Sequence, residues 1–60
     1  MKTFKEIRQE KGISLAHVAK ALNITTVTLR SKENGQSEFS APQCKKLCAL
    51  YGVKFEEVKV

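Results

Sequence analysis

The sequence contains few of the side chains on which most enzymes depend. It has no aspartate, a single histidine, His17, and two cysteines, Cys44 and Cys48, among 60 residues. These residues offer no nucleophile–base pair and no metal-binding cluster at a recognisable spacing. A chain this short buries only about 60% of the surface that its unfolded form exposes, which leaves little material for a catalytic cleft. We therefore expect a protein that is not an enzyme and that has no cofactor.

Long apolar runs are missing as well. The first six residues, MKTFKE, are charged and lead directly into a helical pattern. Nothing in the sequence approaches the length of a signal-peptide core or of a membrane span. The expected location is the cytoplasm, associated with the nucleoid if the partner is DNA, and no membrane partner is expected.

The two cysteines lie four positions apart, which places them on one face of a helix. A disulfide between them would fit helical geometry poorly, and a metal site would need further ligands. Two reduced thiols in the core are the favoured interpretation.

The charge in the sequence is mostly positive. Eleven Lys and Arg residues stand against six Glu, which gives a formal net charge of +5. Such an excess favours a polyanionic partner, because neutralising phosphates releases condensed counterions. The apolar share of 42% is enough for one folded core, so residues 1–60 are expected to form a single domain.

Capping signals predict two short helices at the start of the chain. Thr3 can cap the first, with Glu6 as its capping-box partner, and Gly12 supplies a stop. Ser14 can cap a second helix over Leu15–Leu22. The apolar residues of this second helix fall at helical spacing on one face: Leu15, Val18, Ala19 and Leu22.

The next segment, residues 24–30, carries conflicting signals. Its β-branched run, with Asn34 and Gly35 behind it, is typical of a strand that enters a hairpin. No comparable second strand follows, however, and an isolated two-stranded hairpin is unstable in water. A short helix that is capped by Thr25 and ends at Glu33 therefore fits the whole sequence better.

The rest of the chain predicts one longer helix and a final short turn. Ser40 can cap the helix, Pro42 suits its first turn, and Gly52 ends it. Its expected buried stripe consists of Ala41, Cys44, Leu47, Cys48 and Tyr51. The residues expected to anchor the last turn of helix to the core are Val53, Phe55 and Val58.

Residues 15–33 thus form two short helices separated by a tight turn, with the small Ala19 where steeply crossing helices must approach. Here the sequence resembles the Cro and phage-repressor (Xre-like) helix-turn-helix domains, over nearly the whole chain from Phe4 to Val58. The matching segments are Ile7-Arg8, residues 11–14, residues 18–25, Leu29, Glu33-Asn34-Gly35, Leu47 and residues 49–53.

The resemblance implies an all-α, compact, five-helix domain of the lambda-repressor type, with its third helix in the major groove of DNA. It implies a transcriptional regulator, expected to be a phage or bacterial repressor, whose partner is double-stranded DNA. The base-contact residues carried over are Thr26, Val27, Thr28, Arg30 and Ser31. Valine and threonine methyls suit thymine methyls, and only the arginine suits bidentate contact with guanine, so we expect readout weighted towards methyls and shape.

Phosphate contacts are expected on both sides of this helix. The free N–H groups at the start of the second helix can bind a phosphate, and the segment behind the recognition helix can add contacts from the other side. The phosphate-contact residues predicted in this way are Ser14, Leu15, Lys32, Asn34, Gln36 and Ser37. A plain C-cap is the alternative role for Asn34, and the two roles are compatible.

Two further features follow from the resemblance. In the family, an Arg of the first helix pairs with the Glu of the Glu-Asn-Gly segment, so Arg8 and Glu33 are expected to form a structural ion pair. Two solvated residues are the alternative. Family members usually bind palindromic sites as dimers, so a homodimer is expected. Its candidate interface residues are Phe39, Tyr51, Phe55 and Val60.

Three positions depart from the family pattern. Leu15 stands where a Gln usually contacts phosphate, Lys32 replaces a buried apolar residue, and Glu38 adds negative charge to a loop that is often basic. The stem of Lys32 can still cover the core while its ammonium reaches water or a phosphate. These changes favour a rival hypothesis, an antitoxin-like or anti-repressor-like module that binds a protein partner and binds DNA weakly. Lys45 and Lys46 are expected to be solvated.

Overall fold

In the computed structural model, which describes residues 1–59, the chain folds into four α-helices and one short 3₁₀ helix. The α-helices are α1 (Phe4–Glu10), α2 (Leu15–Leu22), α3 (Thr26–Glu33) and α4 (Ala41–Tyr51), and the 3₁₀ helix spans Phe55–Glu57. None of the helices in this described part has the length and hydropathy needed to cross a bilayer.

The all-helical prediction is confirmed, but the count of five helices is not. After Gly52 the chain runs extended at Lys54 and again at Val58, which leaves room for only one 3₁₀ turn between them. Val58 then forms an isolated parallel bridge with Lys2, and the amide of Lys59 donates to the carbonyl of Lys2 at 2.8 Å. The end of the described chain is therefore held beside its beginning by backbone hydrogen bonds.

Each α-helix begins where its cap predicts. In all four, the cap hydroxyl accepts a hydrogen bond from the N–H of the third helical residue, and the caps are Thr3, Ser14, Thr25 and Ser40. A complete capping box forms at α1 with Glu6 and, unforeseen, at α4 with Gln43. Helix boundaries are thus set by local side chain–backbone hydrogen bonds.

The turn between α2 and α3 depends on Asn23. This residue adopts a left-handed conformation with φ of 59°, and no other residue besides glycine does so within residues 1–59. The amide of Ile24 then donates to the carbonyl of Ala19 at 2.9 Å, which folds the chain back onto α2. Asparagine tolerates this conformation better than most residues, so the turn needs no glycine.

The β-branched segment forms a helix, α3, as predicted, although its local propensity favours a strand. Leu29 is completely buried and is the only fully buried residue of α3. It packs in one core with residues from the other elements: Phe4, Ile7, Val18, Ala19, Leu22, Cys44, Leu47, Tyr51 and Val58. Tertiary packing of this kind commonly overrides a weak helix propensity.

Two expectations about the core were wrong. Ala41 is exposed, and Phe55 is 53% exposed and does not anchor the 3₁₀ helix. Both residues line an open groove beside α4, and no further element of residues 1–59 covers them. Val58 does reach the core, and Cys48 is half-buried at its edge. Both cysteines are free thiols, as predicted.

The phenol of Tyr51 lies in the core with no hydrogen-bond partner among the described residues. Its ring packs against Phe4 at a centroid distance of 6.2 Å. Burial, and to a lesser extent the negative charge of Glu33, raise the pKa of Tyr51 to about 12, against the opposing charge of Arg8. The hydroxyl therefore keeps its proton but donates no hydrogen bond within residues 1–59.

We expect Tyr51→Phe to leave the free energy of unfolding at neutral pH unchanged, or to raise it by up to about 1 kcal/mol, because it removes an unsatisfied buried hydroxyl. In the parent protein the unfolded chain loses the phenol proton near its ordinary pKa of 10, whereas the folded state keeps it until about 12. This contribution to stability is complete below the unfolded pKa and is lost as pH rises between these values.

Urea unfolding of both proteins at neutral and alkaline pH measures the effect. The parent should lose more stability than Tyr51→Phe on the alkaline side, since lysine titration is common to both. A loss of more than about 1 kcal/mol in Tyr51→Phe at neutral pH would indicate that the hydroxyl has a partner.

Candidate nucleic-acid interface

The outer face of α3 carries the residues predicted to contact bases. Thr26, Val27, Thr28 and Arg30 are all exposed, Val27 by 72%, while Ser31 is half-buried at the edge of this face. The face is short, mostly polar and free of acidic side chains. This face can offer a partner hydroxyl groups, methyl groups and one guanidinium.

The hydroxyl of Thr28 is partly engaged by the helix cap. Thr25 Oγ1 accepts from the backbone N–H of Thr28 at 3.2 Å and donates to Thr28 Oγ1 at 2.9 Å. Thr28 Oγ1 therefore acts as an acceptor towards the cap and keeps its own proton available for an outside acceptor. The cap thus orients one of the predicted base-contact side chains.

The start of α2 offers hydrogen-bond donors that the helix does not use. Ser14 Oγ accepts from the amide of His17 at 3.1 Å, which leaves the serine O–H free to donate. The N–H of Leu15, in the first turn, has no intrahelical acceptor, and no acidic residue lies in this turn. The side chain of Leu15 packs against the core, which explains why only its backbone can serve an anion.

Gln36, in the loop behind α3, makes two hydrogen bonds to Ser31 of the helix. The amide of Gln36 donates to the carbonyl of Ser31 at 2.9 Å, and Ser31 Oγ donates to Gln36 Oε1 at 3.2 Å. The side-chain NH₂ of Gln36 is left to donate elsewhere. Ser37, next in the loop, is exposed.

A cation that the sequence interpretation missed lies next to this loop. Lys5 Nζ, from α1, donates to Asn34 Oδ1 at 3.4 Å across a sequence separation of 29 residues. Asn34 is the C-cap of α3, with a right-handed φ of −84°, and its amide NH₂ still points to no described acceptor. Only the packing of α1 against the end of α3 brings Lys5 here, so no local signal could have indicated it.

The ammonium of Lys32 is directed into the protein's own loop. It donates to the carbonyl of Glu38 at 2.9 Å and lies 6.0 Å from the ring centroid of Phe39. Its stem is half-buried, in keeping with a side chain that covers apolar surface. A phosphate contact by Lys32 stays a prediction, and one of the three N–H donors of the ammonium is already used by this carbonyl.

Arg8 and Glu33 join α1 to the end of α3. Arg8 Nε and Nη2 donate to the two carboxylate oxygens of Glu33 at 2.7 and 3.1 Å, and Nη1 donates to the carbonyl of Ile13 at 3.0 Å. The two side chains are only 12% and 3% exposed. Hydrogen bonding to Glu33 raises the pKa of Arg8, which stays charged. One guanidinium therefore fixes α1, the turn before α2 and α3 together.

The residues considered for a dimer interface differ in their exposure. Tyr51 is 2% exposed and cannot reach a second chain without unfolding, so that expectation was wrong. Phe39 is half-buried and Phe55 is exposed. Val60 lies outside the described residues.

The family model described as helix-turn-helix matches residues 4–58. The chain belongs to the Cro/C1-type helix-turn-helix family. No curated protein and no solved structure matches it. As a member of this family, the chain is a DNA-binding helix-turn-helix protein of a regulatory type, and α2, the Asn23 turn and α3 are its motif.

The ion pair gives a prediction about stability. We expect Glu33→Leu or Arg8→Met alone to cost about 3 kcal/mol, because each leaves one charge buried without its partner. The double variant should cost clearly less than the sum of the two. Urea unfolding of the four proteins gives the coupling energy.

The exposed pair of Lys2 and Glu10 provides a matched control, since its side chains are 54% and 55% exposed. Glu10→Leu and Lys2→Met should couple by less than about 0.5 kcal/mol. Strict additivity at Arg8 and Glu33 would contradict the role assigned to their contact.

Proposed function

We propose that this Cro/C1-type protein is a sequence-specific transcriptional regulator, a repressor of phage or bacterial origin, that inserts α3 into the major groove of its operator. The observation that carries the proposal is the uncovered outer face of α3. That helix is fixed from behind by Leu29 and by the contact of Glu33 with Arg8, while Thr26, Val27 and Arg30 remain exposed.

The side chains of this face favour a particular kind of readout. Arg30 is the one long cation on it, because the ammonium of Lys32 is directed to Glu38. A single bidentate guanine contact is therefore expected, whereas Val27 and the threonine methyls suit thymine methyl groups. Specificity then depends on a few methyl contacts, one guanine and the shape of the duplex.

The donors around α3 support a phosphate clamp made mainly of neutral groups. Ser14, the N–H of Leu15, Asn34, Gln36 and Ser37 can each donate to a phosphate oxygen without adding charge. Neutral donors position the protein on the duplex but release few counterions. The affinity for DNA should therefore fall only gradually as the salt concentration rises. A palindromic operator would hold two copies of the chain, with half-sites about one helical turn apart.

The proposal predicts how single substitutions change DNA affinity. A duplex is first selected from a random pool, and affinities for selected and random duplexes are then measured across a salt series. Arg30→Ala should weaken binding to the selected duplex by roughly ten- to a hundredfold, and binding to random duplex much less. Lys46→Ala, which removes an exposed charge from α4, should affect both duplexes slightly and equally.

The same selected duplex tests the methyl contacts. Replacing its thymines one at a time by uracil removes single methyl groups, and each contacted methyl should be worth about fourfold in affinity. If Val27 contacts one of these methyl groups, the affinity of the Val27→Ala variant should not change when that thymine is replaced by uracil. Equal losses on selected and random duplexes for Arg30→Ala, together with no response to uracil, would contradict operator recognition by α3 and favour a protein-binding role.

A further inference from the structure

A groove of about 990 Å³ runs beside α4, between the first turn of α1, the loop that follows α3 and the 3₁₀ helix. Its apolar lining comes from Phe4, Phe39, Ala41, Cys44, Cys48 and Phe55. None of the residues predicted to contact bases lines it. The groove is therefore a second surface, separate from the outer face of α3.

The floor of the groove has a defined apolar shape. Phe4 is buried and meets Phe39 edge to face, with ring centroids 5.4 Å apart and an interplanar angle of 78°. Phe55 lines the same groove, and more than half of its surface is exposed. An aliphatic or aromatic side chain that entered here would cover Phe55 against a rigid aromatic wall.

The rim of the groove is positively charged. It carries four lysines, Lys5, Lys32, Lys45 and Lys59. Two glutamates also line it: the carboxylate of Glu33 is already paired with Arg8, whereas Glu38 offsets part of the lysine charge. So does Glu6, whose pKa is lowered by hydrogen bonds from Thr3 and by the nearby charges of Lys2 and Lys59. Within residues 1–59, neither Lys45 nor Lys59 forms a salt bridge.

We propose that this groove binds an acidic segment of a partner protein, which inserts a large apolar side chain beside Phe55 and sets carboxylates against Lys45 and Lys59. Charge complementarity selects this occupant. A second copy of the chain carries the same net charge of +5, so it matches the basic rim of this groove less well than an acidic segment does. Apolar anchors flanked by carboxylates match a groove with an apolar floor and a basic rim.

Single-stranded nucleic acid fits the groove less well. Such ligands bind on stacked aromatic faces within a basic channel. Here Phe4 is buried, and one face of Phe39 is occupied by the ammonium of Lys32. Phe55 alone does not make a stacking platform for successive bases.

Occupancy of the groove should also affect DNA binding. Lys32 and Ser37 line the groove and are among the predicted phosphate contacts. A bound acidic segment would neutralise Lys32 and compete with the DNA backbone for this loop. This consequence rests on the proposed function, whereas binding of the acidic segment does not.

The test uses the 60-residue protein and a displayed library of random 12-residue peptides. Selection should enrich sequences that combine several Asp or Glu residues with at least one Leu, Ile, Phe or Trp. The most enriched peptide, labelled with a fluorophore, is then titrated by anisotropy against variants whose circular dichroism matches the parent. Lys45→Glu combined with Phe55→Ala should weaken its binding at least about tenfold.

Lys46→Glu is the matched control, because Lys46 lies on the same helix, is exposed and does not line the groove. It should change peptide affinity by less than about twofold. Phe55→Ala alone should leave the affinity for the selected duplex unchanged. The failure of the proposed peptide binding can therefore be distinguished from the failure of the proposed DNA recognition.

Several results would overturn the proposal. The first two are a selection that enriches no peptide and one that enriches peptides without an acidic excess. The third is an equal loss of peptide affinity in the double variant, Lys45→Glu with Phe55→Ala, and in Lys46→Glu. Tighter binding of an oligothymidine probe would assign the groove to single-stranded nucleic acid. Sedimentation that showed a dimer abolished by Phe55→Ala would assign it to a second copy of the chain.

Discussion

A nearly buried guanidinium–carboxylate contact connects the first helix of this fold to the helix proposed to read DNA. Because α3 buries only one residue completely, Leu29, its C-terminal end needs a further constraint. The bidentate contact between Arg8 and Glu33 supplies that constraint, and the third hydrogen bond, to Ile13, extends it to the start of the motif. A nearly buried ion pair is costly to break from one side, so α3 is held in one position. The proposed recognition surface depends on that position.

This arrangement separates the two faces of α3. The inner face supplies stability through one leucine and one carboxylate, so the outer face can carry residues that are not packed in the core. The β-branched Thr26, Val27 and Thr28 lower the helix propensity of the segment, which the cap at Thr25 and tertiary packing offset. The same separation leaves the groove beside α4 open, since no element of residues 1–59 covers Phe55. A small domain can thus offer two chemically different surfaces.

Features set by local chemistry could be predicted from the sequence, and features set by long-range packing could not. The four helix starts follow from hydroxyl caps, and the turn follows from Asn23, because both need only neighbouring residues. For α3, local propensity pointed to a strand, and only the surrounding motif indicated a helix. The resemblance to known domains paired Arg8 with Glu33, but the approach of Lys5 to Asn34 depends on how α1 packs against α3. Burial of Tyr51 follows from its place in the apolar stripe of α4, whereas exposure of Phe55 depends on where the chain stops covering itself.

The most direct test of the account is to map amide chemical shifts of the ¹⁵N-labelled protein during titration with a selected operator duplex. The account predicts the largest changes in residues 26–31 of α3 and at Ser14 and Leu15, smaller changes in the loop at Gln36 and Ser37, and almost none around Phe55. Contacts to bases from the start of a recognition helix would produce this pattern. Large changes confined to the groove beside α4, with residues 26–31 unaffected, would contradict the claim that α3 reads DNA.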